Sequence, residues 1–537
     1  MIPISRRALF GGMAGAGAAV VLGSCSSGGS NDPAADQEAN SAVLPTYVPY
    51  ADVEPDLPAE LGRTSGAFFA YPESPVAFSS ETPGDGEPVT FMGPTSFGLP
   101  PALEDNPFWQ EMNERIGSDL QISLTPAGEY DAKFSTTIAG DSLPDAFYVG
   151  SMPSRPRFMM SKTADLTEFL AGDAIKDYPG LASIPTDSWQ ECVFEGTIRA
   201  IPLNRGLVSL PSVLMRNDLL ADEGIDRREI TSFETLREIS AELTGGNRWA
   251  WSDAPIGHLR RMCDIPIRWT LEDGTIGTNL LDERQLEALE ATRKLVDDGS
   301  VNPDAAGTPA STRKQWFGGG QIVFMSDSFI AWFSLYVANA RVDGIDIQAM
   351  SIPGMTEGAG TQDLPRPNAG FTAFSADVGD RLPTLLRIAD WLAAPFGTEE
   401  YLFNKYGIAG RNYELDGSDP VPGDLATEVN IGSLYFSDTA RVIYSPGRPD
   451  TVQDAWDHQS AVTEKSVVDP TYGLLSETAS RQLNSLAGAL ASVQDDIIYG
   501  RRPVSDWEPA AQEFLDGGGS TMIEEYQESY DAQQAGQ

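Results

Sequence analysis

Residues 197–220, TIRAIPLNRGLVSLPSVLMRNDLL, decide the fold of this chain. The stretch is interpreted as two short strands, the first broken by Pro202 and the second starting after Pro211, because proline cannot donate to a central ladder. The polar insert Asn204-Arg205-Gly206 separates them. A chain that leaves one sheet in extended form and at once begins another strand and a helix crosses between two lobes. On this segment alone, one β-meander within a single domain stays an alternative.

Upstream of this crossing, strands alternate with helices. Strands at residues 89–92, 120–124 and 145–149 are separated by two stretches with apolar residues at helical spacing. This β-α-β-α-β order predicts a parallel sheet covered on both faces, and right-handed crossovers make the lobe doubly wound. Ligands bind beyond the carboxyl ends of the strands in such sheets, which here are the loops at residues 93–96 and 150–153.

Downstream of the crossing, the sequence predicts a second lobe. A strand at residues 321–325 leads into a polar segment, again where an α/β sheet would hold a ligand. Strands at residues 345–352 and 371–375 are interpreted as a return to the first lobe, with the second crossing near residues 340–345. Helical patterns dominate the tail of the chain.

The domain boundaries follow from these crossings. Residues 88–205 and 345–420 are assigned to lobe 1, and residues 206–344 and 421–537 to lobe 2 with helices at the C-terminus. The sequence therefore predicts an α/β fold of two lobes, with doubly wound sheets joined by a hinge and a helical C-terminal region.

The N-terminus has the layout of an export signal. Residues 1–25 combine a basic start, an apolar run and small residues before a cysteine. Leu22-Gly23-Ser24-Cys25 resembles the lipobox of bacterial lipoproteins, in which the cysteine receives the lipid. Ser5-Arg6-Arg7-Ala8-Leu9-Phe10 resembles a twin-arginine signal, and the choice between that route and ordinary export stays open. Residues 26–87 are polar and then proline-rich, so we expect a flexible tether before a folded body that begins near Pro88.

Composition bounds the class of protein. A hydrophobic content of 41% indicates a soluble globular body, and the formal net charge of -42 argues against nucleic-acid partners and against direct adhesion to anionic lipid headgroups. Of the three cysteines, Cys192 and Cys263 remain once Cys25 is lipidated. In an oxidising compartment they form either a disulfide or two buried thiols, and both alternatives stay open.

A series of short motifs runs in order along most of the exported body. The motifs are Asn106-Pro107-Phe108-Trp109, Leu143-Pro144-Asp145, Ile201-Pro202, Met215-Arg216-Asn217-Asp218-Leu219-Leu220, the run 231–236, Gly319-Gly320-Gln321-Ile322, Asp390-Trp391-Leu392, Tyr406-Gly407-Ile408-Ala409-Gly410 and Glu524-Glu525-Tyr526-Gln527. Together they resemble the extracellular solute-binding lipoproteins of ABC importers, of the carbohydrate-binding family 1 type and most closely its LipO-like branch. Each motif alone is weak, but their order is specific.

The resemblance implies a two-lobed, periplasmic-binding-protein-like fold that holds a sugar in the cleft between its lobes. It implies a monomer, anchored through lipid on the extracytoplasmic face of the cell membrane, that captures an oligosaccharide and delivers it to the membrane subunits of an ABC transporter. Some relatives carry an Asp-rich calcium loop ahead of the segment matching Ile201-Pro202. Residues 185–196 lack that spacing, so no calcium is predicted there, and neither a metal nor a cofactor is expected.

The candidate site residues follow from the chemistry of sugars. A sugar ring has an apolar face and a rim of hydroxyls, so its site needs flat aromatics and side chains with fixed donors and acceptors. The candidate aromatic platforms are Trp249, Trp251, Trp269 and Trp332. The candidate polar contacts are Asn204, Arg205, Asp253, Asp327 and Ser328. Each tryptophan could equally belong to the core, so which of them line the cleft stays open.

Two other classes of exported protein were weighed, a polysaccharide-acting enzyme and a surface adhesin lipoprotein. A glycosidase needs two carboxylates, but among 78 acidic residues a pair is no evidence. Only His258 and His458 are available for histidine chemistry, and no Gly-x-Ser-x-Gly, zinc-type or P-loop pattern occurs. The sequence therefore predicts a binding protein and not an enzyme.

Overall fold

The structure is a computed structural model that describes residues 39–60, 63–95, 98–150, 152, 155–305, 307–339 and 342–535. The export signal, the lipobox and the lipidated Cys25 lie outside these residues. Within the described part of the chain, no helix combines the length and the apolar character that crossing a membrane requires.

Strands and helices are numbered in chain order within the described residues. The strands are β1 (Ala67–Phe68), β2 (Val89–Thr95), β3 (Leu120–Pro126), β4 (Ala146–Tyr148), β5 (Val193–Phe194), β6 (Thr197–Ile198), β7 (Ile201–Asn204), β8 (Pro211–Arg216), β9 (Trp249–Trp251), β10 (Trp269–Glu272), β11 (Thr275–Thr278), β12 (Ile322–Ser328), β13 (Ile347–Ala349), β14 (Gln362–Asp363), β15 (Asn368–Phe374), β16 (Tyr413–Asp416), β17 (Asp419–Pro422), β18 (Ile443–Tyr444) and β19 (Ser466–Val467). The helices are α1 (Pro107–Ile116), α2 (Ala127–Ala139), α3 (Arg155–Lys162), α4 (Thr167–Leu170), α5 (Pro179–Ala182), α6 (Asn217–Asp222), α7 (Phe233–Glu242), α8 (Ile256–Met262), α9 (Arg284–Asp297), α10 (Ala310–Gly318), α11 (Ala331–Ala338), α12 (Leu382–Leu392), α13 (Glu399–Tyr406), α14 (Ser433–Phe436), α15 (Pro449–Thr463), α16 (Glu477–Ile498), α17 (Trp507–Phe514) and α18 (Ser520–Ala535).

Lobe 1 is built on a five-stranded sheet in the order β3-β2-β4-β15-β7. Strand β2 pairs in parallel with β3 and β4, while β15 runs antiparallel to β4 and β7. The predicted β-α-β-α-β unit is confirmed, including helix α1, where the Asn106 side chain accepts from the Trp109 N–H and Pro107 stands at the first helical position. Strand β2 is buried along almost its whole length because helices cover both faces of the sheet.

Lobe 2 is built on a four-stranded sheet in the order β13-β8-β12-β9. Strand β12 runs parallel to β9 and antiparallel to β8. Successive side chains of β8 point to opposite faces: Val213 and Met215 pack into one core, and Leu214 packs into the other. The sheet is therefore covered on both sides.

The crossing predicted at residues 201–211 is confirmed. Strand β7 belongs to the first sheet and β8 to the second, and a short 3-10 turn, Gly206–Ser209, joins them. The two-lobed α/β architecture is thus encoded in this one segment, and the single β-meander is excluded.

The return crossing lies later than predicted. Strand β13 pairs with β8, with Ala349 opposite Leu214, so it stays in the second sheet. The chain crosses back between Met350 and Asn368, and the assignment of residues 345–349 to lobe 1 was wrong. A second boundary also shifts, because Ile431 and Phe436 lie in the core of lobe 1 and not of lobe 2. An apolar strand carries no sign of which sheet it joins, which is why both boundaries were misplaced.

The proline-rich N-terminal segment is packed onto the body from residue 39 onward in its described residues. Val48 donates its N–H to Ala182 of lobe 1 at 2.8 Å, and Ser65 donates its N–H to the side chain of Gln459, on helix α15, at 2.6 Å. Strand β1 pairs in parallel with β18. The prediction of a flexible tether as far as residue 87 was therefore wrong for this part. Proline-rich sequence cannot form a core by itself, but its backbone donors and acceptors can bind to an existing one.

The C-terminal helices extend lobe 2, as predicted. Helices α16 to α18 pack against α9 and the β10-β11 hairpin around a separate core that contains Trp269, Trp507 and Phe514. Cys192 and Cys263 are both free and buried, one in a core of lobe 1 and the other in lobe 2. Burial raises the pKa of Cys263 to about 12. Of the two alternatives left open, the structure has two buried thiols.

Candidate ligand-binding cleft

Both crossings run between the facing edges of the two sheets. Strand β7 ends at Asn204, which lies opposite Asn368, the first residue of β15. In lobe 2, the first residue of β8, Pro211, lies opposite Ser328 at the end of β12. Because β7 runs in the same direction as β2 and β4, and β9 in the same direction as β12, the carboxyl ends of these five strands face the crossings and thus the space between the lobes. In open α/β sheets, this is where ligands bind.

The lobe 2 side of this cleft carries two ion pairs. Asp253 follows β9 and Asp327 lies on the neighbouring β12, so both reach the same edge. Arg313 and Lys314, from helix α10, lie 3.2 Å from the carboxylates of Asp253 and Asp327 respectively. Burial, together with the nearby Asp327, raises the pKa of Asp253 above its ordinary value. This edge of lobe 2 therefore offers hydrogen-bond donors and acceptors, and the charges of its two ion pairs cancel.

The lobe 1 side carries partly exposed tyrosines. Tyr148 ends β4, and its ring packs edge-to-face with that of Tyr435 at 6.0 Å. Its hydroxyl donates to the Ala369 carbonyl at 3.1 Å, and the ring lies so close to Gly370 that a Cβ there would collide with it. Burial, and then Tyr435, raise the pKa of Tyr148. The absence of a side chain at Gly370 therefore leaves room for the Tyr148 ring, and the Tyr435 ring lies beside it.

A buried charge cluster lies behind these tyrosines. We call Arg205, Lys405, Asp438 and Arg441 the Asp438 cluster. The Asp438 carboxylate lies 2.8 Å from Arg205 and 2.5 Å from Arg441, and it also accepts from Lys405. Although burial alone would raise the pKa of Asp438, the three cations hold it well below its usual range. Asp438 is therefore ionised.

The chain is similar to known proteins along most of its length. No family model matches. Lipoprotein LipO of Bacillus subtilis is 20% identical over 485 residues, which cover 84% of this chain and 94% of LipO. The polygalacturonan/rhamnogalacturonan-binding protein YtcQ of the same species is 19% identical, covering 78% of this chain and 87% of YtcQ.

Solved structures share the fold. The N-glycan transport solute-binding protein NgtS of Streptococcus pneumoniae has a TM-score of 0.62 and 17% identity, covering 83% of this chain and 98% of that one. The alginate-binding protein AlgQ2 has a TM-score of 0.61 and 14% identity, with coverage of 83% and 98%. In sequence the chain is similar to a lipoprotein and a polysaccharide-binding protein, and in fold it is similar to solute-binding proteins. The resemblance recognised in the sequence motifs is confirmed, as is the two-lobed fold.

The predicted tryptophan platforms of this chain lie away from the cleft. Trp251 is fully buried in lobe 2 and its indole donates to Ser240 at 2.9 Å. Trp332 is 1% exposed and donates to the Ile347 carbonyl, and Trp269 is 3% exposed in the C-terminal core. Trp249 starts β9 and therefore lies at the opposite edge of the sheet. Three of the four rings are therefore buried in cores and the fourth lies at the far edge of its sheet, so none of them lies where a sugar in the cleft would stack.

The predicted polar residues divide into two groups. Asp253, Asp327 and Ser328 come together at the cleft edge of lobe 2, where the Ser328 N–H donates to Asp327 at 2.7 Å. Asn204 and Arg205 lie at the crossing itself. Asn204 is 5% exposed and its amide donates to Ser188 at 2.7 Å, so its donors hold the crossing rather than a ligand. Arg205 pairs with Asp438.

Two features of the site were missed at the sequence level. The tyrosines Tyr148 and Tyr435 come from segments far apart in the chain, as do the members of the Asp438 cluster, so no local pattern marks them. A separate surface depression beside Asn217 and Arg228 lies outside the cleft, because Asn217 follows β8 at the opposite edge of the second sheet.

The segment that corresponds to a calcium loop in some relatives takes another form here. Residues 186–192 form a 3-10 helix, and β5 pairs with β6 directly after it. Within the described residues, no group of three histidine, cysteine, aspartate or glutamate side chains is arranged to hold a metal ion. The absence of calcium stays a prediction.

Proposed function

We propose that this chain is the extracytoplasmic substrate-binding component of an ABC importer, that it is anchored to the membrane through lipid on Cys25, and that it closes its two lobes around an oligosaccharide. The observation that carries the proposal is the meeting of both carboxyl edges at the two crossings, with polar pairs on one side and tyrosines on the other. This arrangement suits a ligand with an apolar face and a hydroxyl rim.

The comparisons support a sugar as the ligand class. YtcQ is named for binding polygalacturonan and rhamnogalacturonan, AlgQ2 for alginate and NgtS for N-glycan transport. These names describe ligands of several different chemistries, so they support the class of ligand and not one sugar. All of these named relatives are binding proteins, in line with a chain that captures its ligand without catalysis.

In this proposal, specific polar contacts come mainly from lobe 2. Asp253, Asp327 and Ser328 accept and donate to sugar hydroxyls, while Arg313 and Lys314 pair with the two carboxylates and orient them. Tyr148 and Tyr435 supply apolar ring faces from lobe 1. Ligand drives closure only through contacts that are tighter in the closed state, which requires both sides to touch the same sugar.

A binding experiment tests the proposal. Calorimetric titration of the detergent-solubilised full-length protein with a panel of neutral and acidic oligosaccharides should give saturable binding to at least one of them. Asp327→Asn should weaken that binding roughly tenfold or more, since a hydrogen bond to a charged group is lost. Asp380→Asn, at an exposed aspartate of lobe 1, is the matched control. Hydrolysis of a chromogenic glycan, or no binding to any saccharide, would refute the proposal.

A further inference from the structure

The Asp438 cluster carries more positive than negative charge. Its three cations, Arg205, Lys405 and Arg441, form all their salt bridges with Asp438 in the described part of the chain. Two positive charges are therefore left without an anion of their own, in a chain whose formal net charge is -42. Burial lowers the pKa of Lys405 to about 8 despite Asp438, and Arg441 adds to this effect. Like charges held together away from water are costly unless another anion joins them.

Hydrogen-bond donors beside Asp438 also lack acceptors. Among the described residues, neither the Ser437 hydroxyl nor the Nε of Arg441 has a hydrogen-bond partner, although both atoms are buried. Ser437 is only 2% exposed. Buried polar groups in native proteins are almost always paired, so each exception calls for an explanation. Both atoms can donate, so unsatisfied donors accompany the excess positive charge of the cluster.

The cluster adjoins the cleft. Arg205 directly follows β7 at the facing edge, and it interacts electrostatically with Tyr435 and Tyr148. The Asp438 side chain is fully buried, whereas those of Arg205, Lys405 and Arg441 are 12%, 16% and 20% exposed. The carboxylate is therefore out of reach, while each cation keeps part of its surface open. A ligand beside the two tyrosines meets positive charge.

We propose that the Asp438 cluster binds the anionic group of an acidic sugar residue, so that the captured oligosaccharide carries uronate carboxylates or sulfate esters. This inference rests on the proposed function and specifies its ligand class. Arginine suits the role because its planar guanidinium can donate two parallel hydrogen bonds to a carboxylate or a sulfate. The anion supplies the negative charge that the cluster lacks.

Calorimetric titration of the full-length protein tests the inference with three probes of matched length. The probes are an unsulfated oligogalacturonate, a sulfated neutral oligosaccharide and an uncharged malto-oligosaccharide. We expect at least one acidic probe to bind more tightly than the uncharged one, and the stronger of the two acidic probes identifies the source of the anion. Arg441→Gln should weaken that binding roughly 10- to 100-fold, since one charge-assisted hydrogen bond is lost.

Arg228→Gln is the matched control, because it removes the same charge from an exposed position at the far edge of lobe 2. Equal binding of acidic and uncharged probes, or equal weakening of both by Arg441→Gln, would overturn the inference and leave the proposed function intact. Failure of every saccharide to bind would overturn both.

A measurement on the unaltered protein covers the case in which Arg441→Gln does not fold. Affinity for the acidic probe should fall as salt rises from 50 to 500 mM (chosen concentrations, about 14 to 4 Å in Debye length), because the interaction is between charges. Affinity for any uncharged sugar should stay constant. An acidic probe whose affinity does not respond to salt would contradict the inference.

Discussion

Asn204 and Asn368 face each other across β7 and β15, and both amide groups bind Ser188. Asn204 donates to the Ser188 hydroxyl at 2.7 Å, and Asn368 donates to its carbonyl at 2.6 Å. One asparagine ends the strand from which the chain leaves lobe 1, and the other begins the strand by which it returns. The same serine therefore ties both crossings to lobe 1, so that bending occurs beyond this point.

This arrangement predicts closure about the segments at residues 205–210 and 365–367, since the strand β14 just before the second segment is paired within lobe 2. Spin labels at Lys133→Cys in lobe 1 and Glu242→Cys in lobe 2 should move closer together when a binding sugar is added. The buried Cys192 and Cys263 should react little with the label, since burial raises the pKa of both thiols. A pair within lobe 1, Lys133→Cys and Glu114→Cys, should keep its distance. Saturating sugar with no change between the lobes would mean a rigid binding protein.

Trp251→Ala should destabilise the protein. The indole fills the core of lobe 2 and donates to Ser240, so its removal leaves a cavity and should cost about 3–5 kcal/mol of unfolding free energy. Chemical denaturation measures the loss. The partly buried Trp456, on helix α15, provides the comparison, and Trp456→Ala should cost less. If Trp251→Ala kept its stability but lost sugar binding, Trp251 would belong to the binding site and not to the core.

Tyr435→Ala should weaken sugar binding while leaving the stability of the protein nearly unchanged. Its ring stands beside Tyr148 and is partly exposed, so we expect sugar affinity to fall about tenfold, equivalent to about 1.4 kcal/mol. Titration calorimetry measures the affinity, and the exposed Tyr47→Ala is the control. A variant that binds as the unaltered protein does would remove Tyr435 from the cleft.

Asp390 should make stability depend on pH. Burial raises the pKa of this carboxyl to about 7, although the backbone N–H groups of Leu181 and Gly180 act in the opposite direction. Between about pH 4 and 7, the folded protein keeps a proton that the unfolded chain releases, so unfolding free energy falls as pH rises, by up to about 1.4 kcal/mol per pH unit. Asp390→Asn removes this dependence on pH, and the asparagine side chain can still accept a hydrogen bond from the Leu181 N–H.

The unfolding free energy of the Asp390→Asn variant should therefore rise relative to that of the unaltered protein as pH rises from 5 to 8. Denaturant midpoints at both pH values, converted to free energies, measure the difference. Asp380→Asn, at an exposed position before helix α12, should show no such trend. If Asp390→Asn differs from the unaltered protein by the same amount at pH 5 and pH 8, the carboxyl titrates normally.

Cys25→Ser should release the protein from the membrane fraction. A lipidated cysteine would hold it there without a spanning segment, since acyl chains contribute ~0.8 kcal/mol per buried methylene. Fractionation followed by immunoblotting checks the outcome. If the variant stays membrane-bound after a high-salt wash, the protein is not anchored through Cys25.

Local patterns predicted much of the fold and little of the site. Helix α1 follows from its N-cap Asn106 and from Pro107, and the first crossing follows from the prolines around it, because these signals act within a few residues. The burial of Trp251 and Trp332 depends on helices packed over the sheet from elsewhere in the chain. The Asp438 cluster joins side chains from three separate segments, so its charge excess appears only in the folded protein.

The N-terminal segment that packs onto both lobes bears on where the protein works. If residues 26–87 were all undocked, a protein with lipid on Cys25 could move its folded body up to about 200 Å from the bilayer, at the ~3.3 Å per residue of an extended chain. With the segment docked from residue 39, residues 26–38 can span at most about 45 Å by the same measure. A tether of that length would keep each molecule beside the bilayer and within reach of a transporter embedded there.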